Sequence, residues 1–143
     1  MNIRLLQHNS SDYSQMLDLR LKVLLNPIGI PASFIQTEKE KNDYLIGAFE
    51  GAEIVGCCVL TPKENKTVQL RQMAVLQSLQ GTGIGAAIVA FAEKIAFEKD
   101  FETLLLHARS HVTSFYLKCG YTIVGEPFEE VGIEHRIMQK QLQ

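Results

Sequence analysis

The apolar positions of this chain change their spacing several times, and each change marks an element. Residues 2–7 read as a short strand at a sheet edge. From Asp12 to Leu25, Met16, Leu17, Leu19, Leu21, Val23 and Leu24 recur at helical spacing. Ser11 or Asp12 is placed to cap that helix. The run Asn26-Pro27-Ile28-Gly29-Ile30-Pro31 breaks it, because proline has no N–H to give and crowds the preceding turn. Residues 32–40 predict a short second helix or an irregular segment, with Glu38, Lys39, Glu40 and Lys41 as a solvated face.

Strand-like runs follow at Tyr44–Phe49 and Glu53–Thr61, joined by Glu50-Gly51-Ala52 as a hairpin. A turn at 62–66 leads to a strand over 67–75, a glycine-rich loop and a helix over 83–98. A strand at 103–108 and a helix at 111–119 make a second β-α pair, and strands from Tyr121 to Gly125 and Glu134 to Gln141 end the order. This order predicts an α/β fold (a mixed, α+β-type sheet) with six to seven strands, about four helices on both faces, and one domain over 1–143. No internal repeat, linker or low-complexity segment interrupts it.

Composition narrows the function. A 143-residue chain with 46% hydrophobic content can fill one core. Fourteen Lys and Arg against sixteen Asp and Glu give a net charge of −2 without a basic stripe, which argues against nucleic-acid binding. No apolar run has membrane-spanning length, and Met1–His8 turns polar too early for a signal peptide. Cys57, Cys58 and Cys119 are odd in number and read as reduced thiols of a cytoplasmic protein. Cys57 and Cys58, being adjacent on a strand, point to opposite faces. No Cys/His set has metal-ligand spacing, so no metal is expected.

The candidate chemistry sits at Gln80-Gly81-Thr82-Gly83-Ile84-Gly85. Glycines let a ligand approach the backbone closely. A loop that opens into a helix aims unpaired N–H groups, and the positive end of the helix dipole, at one point. That is a seat for a phosphate or pyrophosphate. No Gly-Lys-Ser/Thr closes the loop, so it is not a Walker A loop. Its third glycine comes one residue early for the dinucleotide fingerprint.

The pattern that fits is Gln/Arg-x-x-Gly-x-Gly/Ala, met by Gln80, Gly83 and Gly85. Here the chain resembles the GNAT superfamily of acyl-CoA-dependent N-acyltransferases. The preceding Leu70–Leu76 is similar to the family's splayed strand β4. Phe115-Tyr116-Leu117-Lys118-Cys119-Gly120-Tyr121 resembles its Phe-Tyr-x-x-x-Gly-Phe/Tyr signature. The likeness covers about residues 44–140. The segment Gly132–Met138 further resembles the ElaA-like subgroup.

The resemblance implies an N-acetyltransferase that uses acetyl-CoA as co-substrate and a primary amine as direct attacker in a ternary complex. The acceptor is a small amine or a peptide or protein amino group. The resemblance assigns the pyrophosphate to the amides of Gln80, Gly81, Thr82, Gly83, Ile84 and Gly85. It assigns the pantetheine arm to Met73, Ala74 and Val75, with further contacts at Arg109 and Ser114. A backbone N–H at Val75, give or take one residue, would polarise the thioester, and Tyr116 would protonate the departing thiolate. By spacing alone, Tyr116 is a core tyrosine on an amphipathic helix. The general base stays open among His107, Glu130, His135, Glu38 and a water chain. His135 leads because its Gly-Ile-Glu-His setting resembles the ElaA-like subgroup. Arg71 is an alternative anchor for an acidic substrate group. Residues 24–43 would border the acceptor pocket, where Leu24–Pro31 offers no carboxylate for a polycation.

The chain departs from the family in three places. Arg109 stands where asparagine is common, Val112 where a small residue is common, and Thr82 where a lysine or arginine is common. A covalent route through Cys119 would need a lowered thiol pKa and a nearby base. The rival functions are a CoA-binding regulatory module without turnover and a different enzyme that uses the loop for a nucleotide. Homodimerisation is left open.

Overall fold

A computed structural model describes residues 1–143. Its elements are β1 (Asn2–Leu6), α1 (Ser11–Arg20), β2 (Tyr44–Glu50), β3 (Glu53–Pro62), β4 (Thr67–Val75), α2 (Ile84–Glu98), β5 (Thr103–Arg109), α3 (Thr113–Lys118), β6 (Thr122–Glu130) and β7 (Ile133–Gln141). All seven strands join one sheet in the order β1-β2-β3-β4-β5-β7-β6. Only β4 and β5 run parallel; every other neighbouring pair is antiparallel. No helix is long and apolar enough to cross a membrane.

The sheet carries a core on each face. On one face, α2 and Tyr116 of α3 pack Ile84, Ile88, Val89 and Ala92 onto Ile46, Cys58, Leu60, Leu104, Leu106 and Met138. On the other, α1 packs Tyr13, Met16 and Leu19 onto Leu45, Phe49, Cys57, Val59 and Ala74. Cys57 and Cys58 therefore enter opposite cores, as their adjacency on a strand requires. Each fully buried leucine, isoleucine or valine contributes about 1.5–3 kcal/mol.

Several elements differ from the sequence expectation. Ser10, not Ser11 or Asp12, caps α1, its Oγ accepting from the Tyr13 N–H at 3.1 Å. The helix does not run unbroken to Leu25; α-helical bonding ends at Arg20 and a single π-helical turn takes over at Leu21–Leu25. Residues 32–40 form two short 3-10 turns, which leaves three α-helices rather than about four. Strand β6 continues past Gly125 to Glu130.

The largest departure is Glu40, expected on a solvated face. It is buried, and both its oxygens accept from Arg20, Nη1 and Nη2 each at 2.8 Å. Tyr13 Oη donates to the same carboxylate at 2.6 Å. The charge run hid this residue because its neighbours Glu38 and Lys39 are exposed while Glu40 alone turns inward.

Candidate functional site

The site begins with a fault in the sheet. β4 and β5 pair only over Thr67–Leu70 and Thr103–Leu106. Beyond that point β4 carries an extra residue against β3: Cys57 pairs with Ala74 and Val59 with Arg71. Gln72 takes up the bulge with a φ of 56°. A bulge bends its strand and raises its twist, so β4 leaves β5 and the sheet splits.

The split frees one edge of β4. The Leu76 N–H donates to the Val55 carbonyl at 2.9 Å. Antiparallel alternation then turns the N–H and C=O of Val75 away from β3, toward the gap. Gln80 Nε2 donates to that Val75 carbonyl at 3.1 Å, which leaves the Val75 N–H facing the gap without a partner in the chain.

The glycine loop closes the end of the gap. Gly81 and Gly83 have φ of 81° and 93°, a left-handed backbone that a side chain disfavours, and Gly83 caps α2. The N–H groups of Gln80 and Thr82 turn back into the loop, onto the carbonyls of Gln77 and Leu79, each at 3.3 Å. The Thr82 hydroxyl also donates to the Leu79 carbonyl. The N–H groups of Gly81, Gly83, Ile84, Gly85 and Ala86 have no backbone or side-chain acceptor. The unpaired cluster is therefore shifted one residue later than the sequence assignment of Gln80 through Gly85. At Gly85 a side chain would meet Phe115 at 3.2 Å, so the loop and α3 are packed closely.

A cleft of about 1030 Å³ runs through the split. Among the residues singled out from sequence, it is lined by Met73, Ala74, Val75, Gln80, Gly81, Gly83, Gly85, Arg71, His107, Arg109, Tyr116, Glu130 and His135. Thr82, Ile84 and Ser114 do not line it. Glu38 is exposed and lies outside it. The sequence reading missed Ala86, His111 and Gln72, which do line it. Leu24, Leu25, Ile28 and Phe34, within the segment expected to border the acceptor, form an apolar wall.

The two faces of the split carry different chemistry. On the α2–α3 face, Tyr116 is buried among Phe115 and Tyr121, yet it lines the cleft and its hydroxyl bonds to nothing in the chain. Burial pushes its phenol above the ordinary tyrosine value, so it holds its proton. Behind it, Tyr121 Oη donates to Glu93 at 2.8 Å, and Lys140 Nζ links Glu93 at 3.0 Å to the Cys119 carbonyl at 2.9 Å. This network fixes the C-terminal end of α3. Burial, then the Glu93 charge, raises the Cys119 thiol, and that residue lies outside the cleft. Both facts oppose a covalent role for Cys119.

The α1 face carries imidazoles and a carboxylate. Leu104, Leu106 and Ala108 enter the α2-side core, so alternation puts His107 and Arg109 on the opposite face. Arg109 pairs in register with His135. His135 is buried, and its Nδ1 donates to the Ile133 carbonyl at 2.7 Å. A carbonyl only accepts, so the proton of the neutral ring sits on Nδ1 and Nε2 keeps its lone pair. Nε2 lies 3.8 Å from Glu130 Oε2, while His107 Nδ1 holds Oε1 at 3.0 Å. Glu130 is the only acidic residue of the cleft lining. Arg71 is held by Thr61 Oγ1 at 3.1 Å and by Asp43 at 3.8 Å. No group of His, Cys, Asp and Glu is arranged to hold a metal.

Comparisons with known proteins fit this geometry. The model of the acetyltransferase (GNAT) domain matches residues 21–142. The chain is 25% identical to the uncharacterised N-acetyltransferase YitI of Bacillus subtilis, over 87% of this chain and 89% of YitI. Some Bacillus subtilis relatives of higher identity share only about half their length with this chain. The crystal structure of Escherichia coli ElaA superposes with a TM-score of 0.85 at 20% identity, covering 97% of this chain and 98% of ElaA. An aminoglycoside 6'-N-acetyltransferase complexed with coenzyme A superposes with a TM-score of 0.84 at 21% identity, over 99% and 97% of the two chains.

Proposed function

Since this chain belongs to the GNAT acetyltransferase family, we propose that it transfers the acetyl group of acetyl-CoA to a primary amine by direct attack in a ternary complex. The observation that carries the proposal is the split between β4 and β5. It opens a path between a free phenol on one face of the sheet and an imidazole with a free lone pair on the other.

The residues present fit coenzyme A. The N–H groups of Gly81, Gly83, Ile84, Gly85 and Ala86 would take the pyrophosphate at the positive end of α2. The freed edge of β4 at Met73, Ala74 and Val75 would pair with the amide-bearing pantetheine arm as an added strand does. Resemblance also places Arg109 and Ser114 on the pantetheine, but Ser114 is outside the cleft lining and Arg109 reaches toward the Leu24 carbonyl on the apolar wall instead. Acetyl-CoA supplies the activated acyl group.

The chain's own groups then divide the proton work. His135 Nε2 takes a proton from the ammonium and leaves a nucleophilic amine. Nitrogen attacks the thioester carbon as the Val75 N–H holds the carbonyl oxygen. The C–N bond forms and the C–S bond breaks. Tyr116 gives its proton to the departing thiolate. The second proton shed by nitrogen, as the amide forms, restores the phenol. The products are the acetylated amine, free CoA and one proton.

The test is release of free CoA thiol from acetyl-CoA with a panel of amines, amino acids and short peptides, for wild type and Tyr116→Phe. Amine-dependent release that falls tenfold or more in the variant is expected. Binding of acetyl-CoA without release for any acceptor would instead favour a regulatory CoA-binding module. Competition by ATP or NAD for the same site would favour an enzyme of other chemistry.

A further inference from the structure

The acceptor half of the cleft has a charge pattern that points beyond "a primary amine". Its walls hold two arginines and one carboxylate. Arg71 is matched by Asp43 and bonded to Thr61. Arg109 has no carboxylate partner anywhere in the chain; its sole bond is a long one, Nη2 to the Leu24 carbonyl at 3.4 Å. A half-buried guanidinium left without an anion in a cleft is a ready receptor for a carboxylate. It pairs in register with His135, and both lie on the same face. Antiparallel partners have Cα atoms about 4.5–5.5 Å apart. The Glu130 carboxylate, held by His107 Nδ1 at 3.0 Å and standing 3.8 Å from His135 Nε2, is the complementary seat for an ammonium.

A cation seat and an anion seat side by side describe a molecule whose amine and carboxylate stand on the same carbon. The remaining wall is apolar, and Phe34 and Val131 stand in it 53% and 41% exposed. Resting on the transferase reading, we propose that the acceptor is a free α-amino acid with an apolar side chain. Its ammonium lies at Glu130 and His135, its carboxylate on Arg109, and its side chain against Leu24, Ile28 and Phe34. A polycation would find one carboxylate and an uncompensated arginine in its way.

The test compares leucine and phenylalanine with the amines and amides that lack their carboxylate, for wild type and Arg109→Gln. Thiol release gives kcat/KM, and calorimetry of the amino acid with CoA present gives binding without turnover. Wild type is expected to prefer the amino acids at least tenfold. Arg109→Gln should remove that preference and the calorimetric signal, with KM for acetyl-CoA unchanged. Equal rates for amino acid and amine in wild type would overturn the proposal and leave the transferase standing. So would a peptide preferred to the free amino acid. An Arg109→Gln defect that falls on KM for acetyl-CoA and equally on all acceptors would reassign Arg109 to a CoA phosphate. If no acceptor turns over, the transferase reading fails, and calorimetry alone decides the amino-acid site: heat lost in Arg109→Gln supports it, and no heat in wild type ends it.

Discussion

At the residue scale, the proposed chemistry depends on where two protons sit. Tyr116 keeps its proton because burial disfavours phenolate. His135 keeps its own on Nδ1 because the Ile133 carbonyl demands it. Glu130 stands beside the open Nε2. Replacing His135 with Gln keeps a polar side chain but removes a basic nitrogen, so kcat should fall by about 10²-fold or more. His107→Gln should cost less, since the Nδ1 of His107 is engaged by Glu130. A His135→Gln enzyme within threefold of wild type would return the base to water or Glu130. Tyr116 was nameable from its Phe-Tyr-x-x-x-Gly-Tyr setting. The tautomer of His135 was not, because it depends on a carbonyl two residues back whose direction is set by the β6–β7 turn.

At the scale of elements, the alternation of apolar residues revealed every strand and the long helix, since a half-buried strand or amphipathic helix must repeat with its own period. What it could not reveal was the bulge at Gln72, which turns one residue left-handed in the middle of a strand. Nor could it tell which loop amides turn inward: Gln80 and Thr82 do, and only the 3-10 turn at Gln77–Leu79 explains why. Gly83 is the joint between that turn and α2. A Cβ there meets nothing within 4 Å, so Gly83→Ala is opposed by its φ of 93° alone. A left-handed alanine costs roughly 1–2 kcal/mol. The loop should relieve that strain by moving its free amides, raising KM for acetyl-CoA several-fold while the acceptor KM holds. An unchanged acetyl-CoA KM would mean that these amides do not bind the pyrophosphate.

At the scale of the whole molecule, the segment carrying the proposed acceptor wall is tied to α1 by a buried ion pair. Glu40 ends the irregular segment that follows Phe34, and Arg20 ends α1. Burial raises the Glu40 carboxyl, but the hydrogen bonds from Arg20 and Tyr13 and the Arg20 charge outweigh it, and its pKa lies below the ordinary value. A depressed carboxylate stabilises the fold above its unfolded pKa of about 4.3 and loses that contribution as pH falls through the folded value. Glu40→Gln leaves Arg20, whose Nε already lacks a partner, as an uncompensated buried charge. The expected cost is about 3–5 kcal/mol near neutral pH, or roughly 10 °C in Tm. Asp43 acts in the opposite sense, because burial holds its carboxyl above the ordinary value. The difference between wild type and Glu40→Gln removes all of it but the smaller part that the Glu40 charge itself supplies to Asp43, and that difference should shrink as pH drops below about 4. Thermal melts of both proteins from neutral to acid pH would read this directly. A constant difference across the range would mean that the variant harms packing rather than charge. Below its melting temperature, Glu40→Gln should also raise the acceptor KM more than that of acetyl-CoA, because the pair anchors the Ile28–Phe34 wall and not the glycine loop.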